Sequence, residues 1–259
     1  MRFVKTTLFK ILLALCLLSA ASSKPLVVAH RGGRNIGSEN RLSTITKAIE
    51  LGVDAIEVDI HQSRDGHLIV AHDLNLDRCF GVAGQINLMT VDELRAIGVP
   101  TLQEVAQLVD GRCRLVIEIK HPKDGTRHVG IEKNLAELLS SQSLVESSLV
   151  ISFYADSIRA FHAFAPKVDA GFLFSTFPRD LVTVKEELGV SYLGPRHSIV
   201  TKSFIEQAHR LGLKVNPWTV NGLDGLRRFI GMGCDAITTD DPHLLLGILS
   251  PKWFMSQTF

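Results

Sequence analysis

Short apolar runs alternate with amphipathic segments along most of the chain. Eight runs rich in Val, Ile, Leu and Phe predict strands, and the segments between them carry apolar residues at helical spacing, several ending at Gly, as helices do. Near-continuous apolar strands are typical of parallel sheets covered by helices on both faces. The predicted strands lie at residues 25–30, 53–60, 114–120, 148–153, 168–174, 190–195, 213–218 and 234–240.

Eight strand–helix units in a chain of this length predict an α/β fold, a (β/α)8 TIM barrel. A doubly wound open sheet is the alternative, but the glycines of HRGGRNIG after the first run lack the GxGxxG spacing of a dinucleotide-binding turn. Barrel chemistry sits at the C-terminal ends of the strands, and polar residues cluster there. They are His30 and Arg31, Glu57 and Asp59, Glu118 and Lys120, Trp218, and Asp240.

The second run leads into Asp65-Gly66, a strong signal for a two-residue hairpin. Counting outward from that turn sets Asp59 opposite His72, and Glu57 shares the face of Asp59 because side chains alternate along a strand. We therefore expect a hairpin at the barrel mouth after strand two that folds His72 over both carboxylates. A short insertion, from residue 74 to about residue 100, follows it.

Three acids are expected to converge at neighbouring strand ends. Glu57, Asp59 and Glu118 would repel one another, so that without a partner one of them would be forced to take up a proton. A divalent cation removes this conflict, and an all-oxygen ligand set favours Mg²⁺ or Ca²⁺ over zinc. The sequence thus predicts a site for one such cation.

The remaining polar residues at the strand ends fit chemistry on a phosphate ester. His30 and His72 flank the acids as an acid/base pair, since imidazole titrates near working pH. Arg31 and Lys120 would hold an anion. A cation, two basic side chains and two imidazoles suit cleavage of a phosphoryl ester, where neutralising the charge on phosphate oxygens dominates.

The first 21 residues have the pattern of a secretory signal peptide. Arg2, Lys5 and Lys10 precede an apolar run that is too short to span a bilayer, and small residues follow it. An uncleaved anchor is the alternative. We expect cleavage, a single domain over residues 22–259, and an exported protein, periplasmic or secreted, with no stable membrane anchor in its mature form.

Charge and cysteine content narrow the function further. Loss of the predicted signal peptide changes the formal net charge from +1 to about −2, and no basic tract remains, which argues against a nucleic-acid partner. Cys79, Cys113 and Cys234 show neither CxxC nor His-paired spacing. They allow at most one disulfide and indicate no zinc site.

Several short motifs occur in one order along nearly the whole mature chain. They are HRGG at 30–33, SEN at 38–40, EVD at 57–59, RDGHLIVAHD at 64–73, LNLDR at 74–78, EIK at 118–120, WTVN at 218–221 and DAITTDDP at 235–242. In these motifs the sequence resembles the glycerophosphodiester phosphodiesterases. The resemblance implies a barrel enzyme that converts glycerophosphodiesters to sn-glycerol 3-phosphate and an alcohol.

The resemblance also implies roles for individual residues. Glu57, Asp59 and Glu118 become ligands of one cation, while Glu39 matches the acid of the family's Pro-Glu-Asn-Thr motif, which lies beside the metal site. His30 and His72 become the acid/base pair, with the glycerol 2-hydroxyl as nucleophile and a cyclic phosphate as intermediate. Arg31 and Lys120 become phosphate contacts, and Trp218 either stacks on glycerol or packs in the barrel wall.

Three departures from the family pattern leave the leaving-group preference open. Ser38 and Arg41 stand where the family has Pro and Thr, and the insertion after His72 is short. The expected function is metal-dependent hydrolysis of glycerophosphodiesters. The alternatives are a phospholipase-D-like enzyme that acts on intact phospholipid, and a catalytically silent binding protein on the same scaffold.

Overall fold

The computed structural model of the protein describes residues 24–122 and 127–250, in which nine strands and ten α-helices are found. The predicted signal peptide lies outside these residues. The strands are β1 (Leu26–Ala29), β2 (Ala55–Gln62), β3 (Leu68–Val70), β4 (Arg114–Ile119), β5 (Ser148–Ser152), β6 (Asp169–Phe174), β7 (Tyr192–Pro195), β8 (Lys214–Val215) and β9 (Ala236–Thr239). The helices are α1 (Leu42–Leu51), α2 (Asp77–Phe80), α3 (Val91–Ala96), α4 (Leu102–Val109), α5 (Ile131–Ser141), α6 (Ala155–Phe164), α7 (Leu181–Leu188), α8 (Lys202–Arg210), α9 (Leu223–Met232) and α10 (Pro242–Leu249).

Eight of the strands form one parallel sheet in the order β8-β7-β6-β5-β4-β2-β1-β9, and β3 pairs antiparallel with β2. Backbone hydrogen bonds join the two end strands, because Asp235 N donates to Val215 O at 3.1 Å and Thr238 N donates to Pro217 O at 3.1 Å. The sheet is therefore a nearly closed barrel. The TIM-barrel prediction is confirmed, and the alternative of a doubly wound open sheet is wrong.

The barrel strands are buried on both faces, which explains their near-continuous apolar sequences. Ile56, Val58 and Ile60 of β2 belong to the large core between the sheet and the helices. Ala55 of the same strand belongs to a second apolar cluster inside the barrel. Because side chains alternate along a strand, the odd-numbered residues of β2 lie on the inner face and deliver its carboxylates to the barrel interior.

The hairpin after β2 is present, but the predicted register is wrong. Ile60 pairs with Val70 and Gln62 with Leu68, so that the connection has three residues, 64–66, instead of two. Only Gly66 of these has a left-handed backbone, with φ 89°. Ala71 N donates to Asp59 O, and His72 follows the hairpin pairing instead of opposing Asp59 across it.

The side chain of Ser63 explains the three-residue turn. Its hydroxyl donates to Asp65 Oδ1 at 2.7 Å and accepts from His67 N at 2.9 Å, while Ser63 O accepts from Gly66 N at 3.1 Å. These bonds satisfy the backbone groups of a wider turn with one bulged residue. A two-residue turn would instead need positive φ at both Asp65 and Gly66.

The short insertion after His72 forms α2 and α3 and has a small core of its own, which contains Leu76, Ile86 and Leu94. Arg41 ties this insertion to the loop after β1. Its guanidinium donates to Gly98 O at 2.7 Å and to Cys79 O at 2.8 Å, and it lies 3.9 Å from the centre of the Phe80 ring. Arg41, which stands where the family usually has Thr, therefore anchors the insertion.

Over residues 24–122 and 127–250, no helix has the length and apolar character needed to cross a membrane.

Candidate active site

The loop after β1 places its backbone against the acids of β2. Arg31, Gly32 and Gly33 all have left-handed backbones, with φ of 51°, 82° and 100°. A Cβ on Gly33 would lie 3.0 Å from the side chain of Ile36, so glycine also provides space for the tight turn. The turn directs Arg31 N onto Glu57 Oε2 at 2.7 Å.

Three carboxylates from β2 and β4 converge at the barrel cavity, with only Glu118 near the C-terminal end of its strand. Ligand atoms of Glu57, Asp59 and Glu118 all lie within 4.8 Å of one another, and the three residues are at most 9% exposed. Parallel pairing produces this cluster, because Asp59 and Glu118 are direct partners in the β2–β4 register. The structure thus brings together the three acids that the sequence predicted as ligands.

Burial and mutual repulsion perturb these acids. Burial, followed by the charges of Asp59 and Glu118, raises the pKa of Glu57 well above its usual range. Burial also raises the pKa of Glu118 to about 7, although Lys120 opposes the shift. Burial acts to raise the pKa of Asp59 as well, but Lys120 and Arg31 outweigh it and the pKa is lowered.

A hard divalent cation fits this group of donors. Asp59 Oδ1 is buried, lies 3.5 Å from Lys120 Nζ and accepts no hydrogen bond from any described residue. Asp59 Oδ2 accepts from Asn40 Nδ2 at 2.9 Å, which fixes the carboxylate. An oxygen-only set with one unsatisfied anionic oxygen matches the preference of Mg²⁺ or Ca²⁺.

His30 is held across the seam between the first and last barrel strands. Its Nδ1 lies 2.6 Å from Asp240 Oδ1, and Asn221 Nδ2 donates to Asp240 Oδ2 at 2.7 Å. Burial acts to raise the pKa of Asp240, but His30 and Asn221 outweigh it, so the pKa is lowered and the carboxylate stays charged. A carboxylate only accepts, so His30 Nδ1 carries a hydrogen, and in the neutral form of the ring the lone pair is on Nε2.

His72 has a similar partner in the next residue. Its Nδ1 lies 2.7 Å from Asp73 Oδ1, and Arg78 Nε donates to Asp73 Oδ2. Burial, together with the charges of Lys120 and Arg31, lowers the pKa of His72, although Asp59 opposes the shift. Both imidazoles line one barrel cavity of about 200 Å³ with Arg31, Glu57, Glu118 and Lys120.

The two basic side chains contact the acids. Lys120 Nζ donates to Glu118 Oε1 at 2.8 Å, and Arg31 donates to Glu39 Oε1 at 3.1 Å. Burial acts to lower the pKa of Lys120, but Glu118 and Asp59 outweigh it and the pKa is raised. Both groups are therefore fully charged at the edge of the cavity.

These features match known proteins. The model of the glycerophosphoryl diester phosphodiesterase family matches residues 30–244. A glycerophosphodiester phosphodiesterase of Caldanaerobacter subterraneus subsp. tengcongensis is 30% identical over an alignment of 240 residues, and the match covers 87% of this chain and 98% of that protein. The chain belongs to the glycerophosphoryl diester phosphodiesterase family. It is accordingly an enzyme of the phosphoric diester hydrolase class.

Solved structures show the same fold. A phosphodiesterase of Oleispira antarctica in complex with the product sn-glycerol-3-phosphate has a TM-score of 0.78 and 24% identity, and the match covers 87% of this chain and 97% of that one. A glycerophosphodiester phosphodiesterase of Agrobacterium tumefaciens has a TM-score of 0.76 and 22% identity, with 86% and 99% covered. Because both structures are less than 25% identical to this chain, the likeness supports the barrel fold alone.

Glu39, predicted to support the metal site, lies outside the carboxylate cluster and holds basic side chains. Its oxygens accept from Arg31, Arg78 and Cys79, and Arg34 Nε lies 3.1 Å away. Burial acts to raise its pKa, but Arg78 and Arg31 outweigh it and lower the pKa to about 2. Glu39 therefore stays charged and keeps Arg31 turned toward the acids.

Trp218 lies at the wall of the barrel cavity, where both roles considered for it remain compatible with the structure. Its Nε1 donates to Gly194 O at 2.7 Å, and its ring packs edge-on against Phe153 with centroids 5.3 Å apart. The hydrogen bond fixes the ring, and the cavity contact leaves part of it available to a ligand.

Sequence reasoning assigned no role to several residues that hold the site in place. Asp240 was noted only as a strand end, and Asp73, Asn40 and Asn221 received no role. The position of Asp240 could have been predicted, because closing the barrel sets the end of the last strand beside the end of the first, where His30 lies.

Cys79, Cys113 and Cys234 are free thiols.

His61 is buried beneath His72. Its Nε2 lies 3.2 Å from His72 O, and its Nδ1 lies 3.0 Å from His128 Nε2. A carbonyl only accepts, so His61 Nε2 donates to the His72 backbone and His128 donates to His61 Nδ1. This pair supports the loop that carries His72.

Proposed function

We propose that the protein hydrolyses glycerophosphodiesters to sn-glycerol 3-phosphate and an alcohol, with His30 and His72 as the acid/base pair beside one divalent cation, Mg²⁺ or Ca²⁺. The observation that carries the proposal is that both imidazoles line the same cavity as Glu57 and Glu118 of the carboxylate cluster. Glu57, Asp59 and Glu118 would hold the cation. When bound, it supplies positive charge that offsets the charge on the phosphate oxygens.

The position of each histidine supports a different role for each in the reaction. Both histidines line the barrel cavity, whereas His72 and not His30 also lines a larger cavity of about 660 Å³ beside the insertion. His30 Nε2 therefore takes the proton from the glycerol 2-hydroxyl, whose oxygen attacks phosphorus. His72 gives its Nε2 proton to the departing alcohol oxygen, and the bond between that oxygen and phosphorus breaks.

The second half of the reaction reverses these roles. His72 takes a proton from water and the hydroxide oxygen attacks phosphorus of the cyclic phosphate. The bond between phosphorus and the glycerol 2-oxygen breaks, and His30 returns its proton to that oxygen. Asp240 and Asp73 stabilise whichever imidazole is charged. The negative substrate phosphate also favours a protonated His72, offsetting the effect of burial.

Arg31 and Lys120 would contact the phosphate from the cavity wall, and the exposed part of the Trp218 ring would pack against the glycerol carbons. Both cations already hold carboxylates in the structure, so their charges are fixed in position before substrate arrives. Such preorganised charge stabilises a phosphate transition state without further rearrangement.

A release assay tests the proposed activity. The purified protein is freed of metal, then given Mg²⁺ or Ca²⁺ with a panel of glycerophosphodiesters, and the products are identified. Metal-dependent release of sn-glycerol 3-phosphate supports the proposal. If the protein released alcohol only from intact phospholipid, the hypothesis of a phospholipase-D-like enzyme would be favoured. Binding without turnover would favour a catalytically silent binding protein.

Export is a separate proposal, supported by the basic and apolar pattern of residues 1–21. The mature domain would begin at about residue 22 and work in a periplasm or outside the cell. Intact-mass measurement of protein recovered from each cellular fraction tests this, because retention of the first 21 residues in a cytosolic pool would contradict it.

A further inference from the structure

A third histidine, His61, lies close to the active site without entering it. It follows Asp59 on the inner face of β2, because side chains alternate along a strand, and only 1% of it is exposed. Unlike His30 and His72, it does not line the barrel cavity. Any effect of His61 on the reaction therefore passes through another residue.

Both ring nitrogens of His61 already have protein partners. Nε2 lies 3.2 Å from His72 O, and Nδ1 lies 3.0 Å from His128 Nε2. A carbonyl oxygen only accepts, so His61 Nε2 carries a hydrogen, and in the neutral form of the ring Nδ1 accepts from His128. His128 is only 8% exposed and lies between β4 and α5. The imidazole of His61 is thus held on one side and holds the His72 backbone on the other.

The backbone of His72 lies just beyond the end of the hairpin ladder. The last backbone hydrogen bond of the hairpin runs from Ala71 N to Asp59 O at 3.0 Å. In the part of the chain that the structure describes, no backbone N–H donates to His72 O, and the side chain of His61 is its partner instead. A side chain of β2 therefore takes over where strand pairing stops.

The groups that hold the His72 ring cannot replace this contact. Asp73, whose Oδ1 lies 2.7 Å from His72 Nδ1, is the next residue in the chain and moves with His72. Arg78, which donates to Asp73, belongs to helix α2 of the insertion. Of these three partners, His61 alone belongs to a strand of the barrel. It is the contact that fixes the position of His72 relative to the barrel.

We propose that His61 is a positioning residue, which holds the backbone of His72 so that the imidazole of His72 reaches the oxygen of the leaving alcohol. The proposal rests on the proposed function, in which His72 gives a proton to that oxygen. Misplacing a catalytic group by about 1 Å can cost on the order of 10²-fold in rate. Loss of the contact therefore slows the step that needs a proton from His72 and spares a reaction that does not need one.

The test compares two leaving groups on the full-length protein with Mg²⁺ or Ca²⁺. One substrate is glycerophosphocholine, glycerophosphoethanolamine or glycerophosphoglycerol, whichever the unmodified protein cleaves fastest, and the other is the p-nitrophenyl ester of glycerol phosphate. p-Nitrophenolate leaves without a proton, so its departure does not need the acid. Because kcat/KM reports on the steps up to departure of the alcohol, the ratio of kcat/KM for the p-nitrophenyl ester to that for the natural ester measures how well His72 acts.

Substitutions of His61 separate its hydrogen bond from its bulk. His61→Leu and His61→Met remove the donor, and each is expected to lower kcat/KM for the natural ester at least about tenfold and to raise the ratio by a similar factor. His61→Gln can place an amide N–H at the position of Nε2, so it should keep the ratio of the unmodified protein. Both substrates are measured on one preparation, so a smaller folded fraction cancels in the ratio.

His162→Leu is the matched control. His162 Nδ1 lies 2.9 Å from Leu188 O, so this ring also donates to a backbone carbonyl. His162 is in the last turn of α6, at the end of that helix away from the barrel mouth. Its substitution should leave the ratio unchanged.

A double variant shows whether His61 acts through His72. On the natural ester, His61→Leu added to His72→Ala should cost less than about twofold, because the group that His61 positions is already gone. A further loss as large as that in the unmodified protein would show that His61 acts independently of His72, and would overturn the proposal.

The remaining outcomes separate this proposal from the proposed function. Equal loss on both esters in His61→Leu and His61→Met, or no loss on either, overturns the positioning role, while a raised ratio in His72→Ala still supports the proposed function. A ratio in His61→Gln as high as in His61→Leu overturns the assignment of the hydrogen bond. An unchanged ratio in His72→Ala, or absence of turnover of every ester, contradicts both proposals together.

Discussion

Nδ1 of His30 lies 2.6 Å from Oδ1 of Asp240, across the seam where the last barrel strand meets the first. The contact makes the role of His30 that we propose, as the base of the reaction, depend on closure of the barrel. A residue 210 positions away in the sequence orients the imidazole in the first loop.

Asp240→Asn tests this dependence. The amide can donate as well as accept, so it permits the tautomer in which His30 Nε2 carries the hydrogen and cannot act as a base. We expect kcat to fall about 10²-fold or more with little change in KM, measured by steady-state kinetics. Asp224→Asn, an exposed change in the first turn of α9, is the control; a similar loss there, or none in Asp240→Asn, contradicts the assignment.

Cation affinity should depend on pH near neutrality. Without a cation the pKa of Glu118 is about 7 and that of Glu57 is also raised, so protons compete for the site below that pH. Affinity should rise as the pH rises through about 7, because the carboxylates must lose protons before they can bind. Calorimetry in buffers of different ionisation enthalpy measures the proton release; pH-independent affinity without proton release contradicts this account.

The turn glycine of the hairpin should be sensitive for conformational reasons alone. A Cβ on Gly66 would meet only Asn134 Nδ2, at 3.8 Å, yet φ is 89°. Gly66→Ala should therefore lower the free energy of unfolding by about 1 kcal/mol. Gly231→Ala, at an open position inside α9, should raise it by about 0.5–1 kcal/mol. Thermal melting at one scan rate compares the two, and equal shifts of one sign contradict the turn geometry.

The sequence predicted the barrel and the carboxylate cluster because both follow from local patterns and one general rule. Apolar runs identified the eight strands, and the rule that strand ends converge at the mouth brought Glu57 and Glu118 together. The hairpin register was wrong by one residue because a serine side chain, Ser63, stabilises a wider turn than Asp-Gly alone predicts.

Other features could not be predicted from local patterns. Asn87 lies in the insertion and His121 follows β4, and they meet at one cavity only through the packing of the insertion over the barrel mouth. His121 Nε2 lies 2.7 Å from Ser157 Oγ, which donates to Glu132 Oε1, and these two partners come from two different helices. Neither spacing nor periodicity carries information of this kind.

The central claim is that His30 and His72 have different roles at the scissile phosphate. The dependence of kcat/KM on the leaving group tests it most directly. Each is changed to Ala, and kcat/KM is measured on a natural glycerophosphodiester and on the p-nitrophenyl ester of glycerol phosphate. Each variant should lose at least about 10²-fold on the natural substrate. With the good leaving group, His72→Ala should recover much of its rate while His30→Ala should not. Equal loss for both variants on both substrates would contradict the assignment.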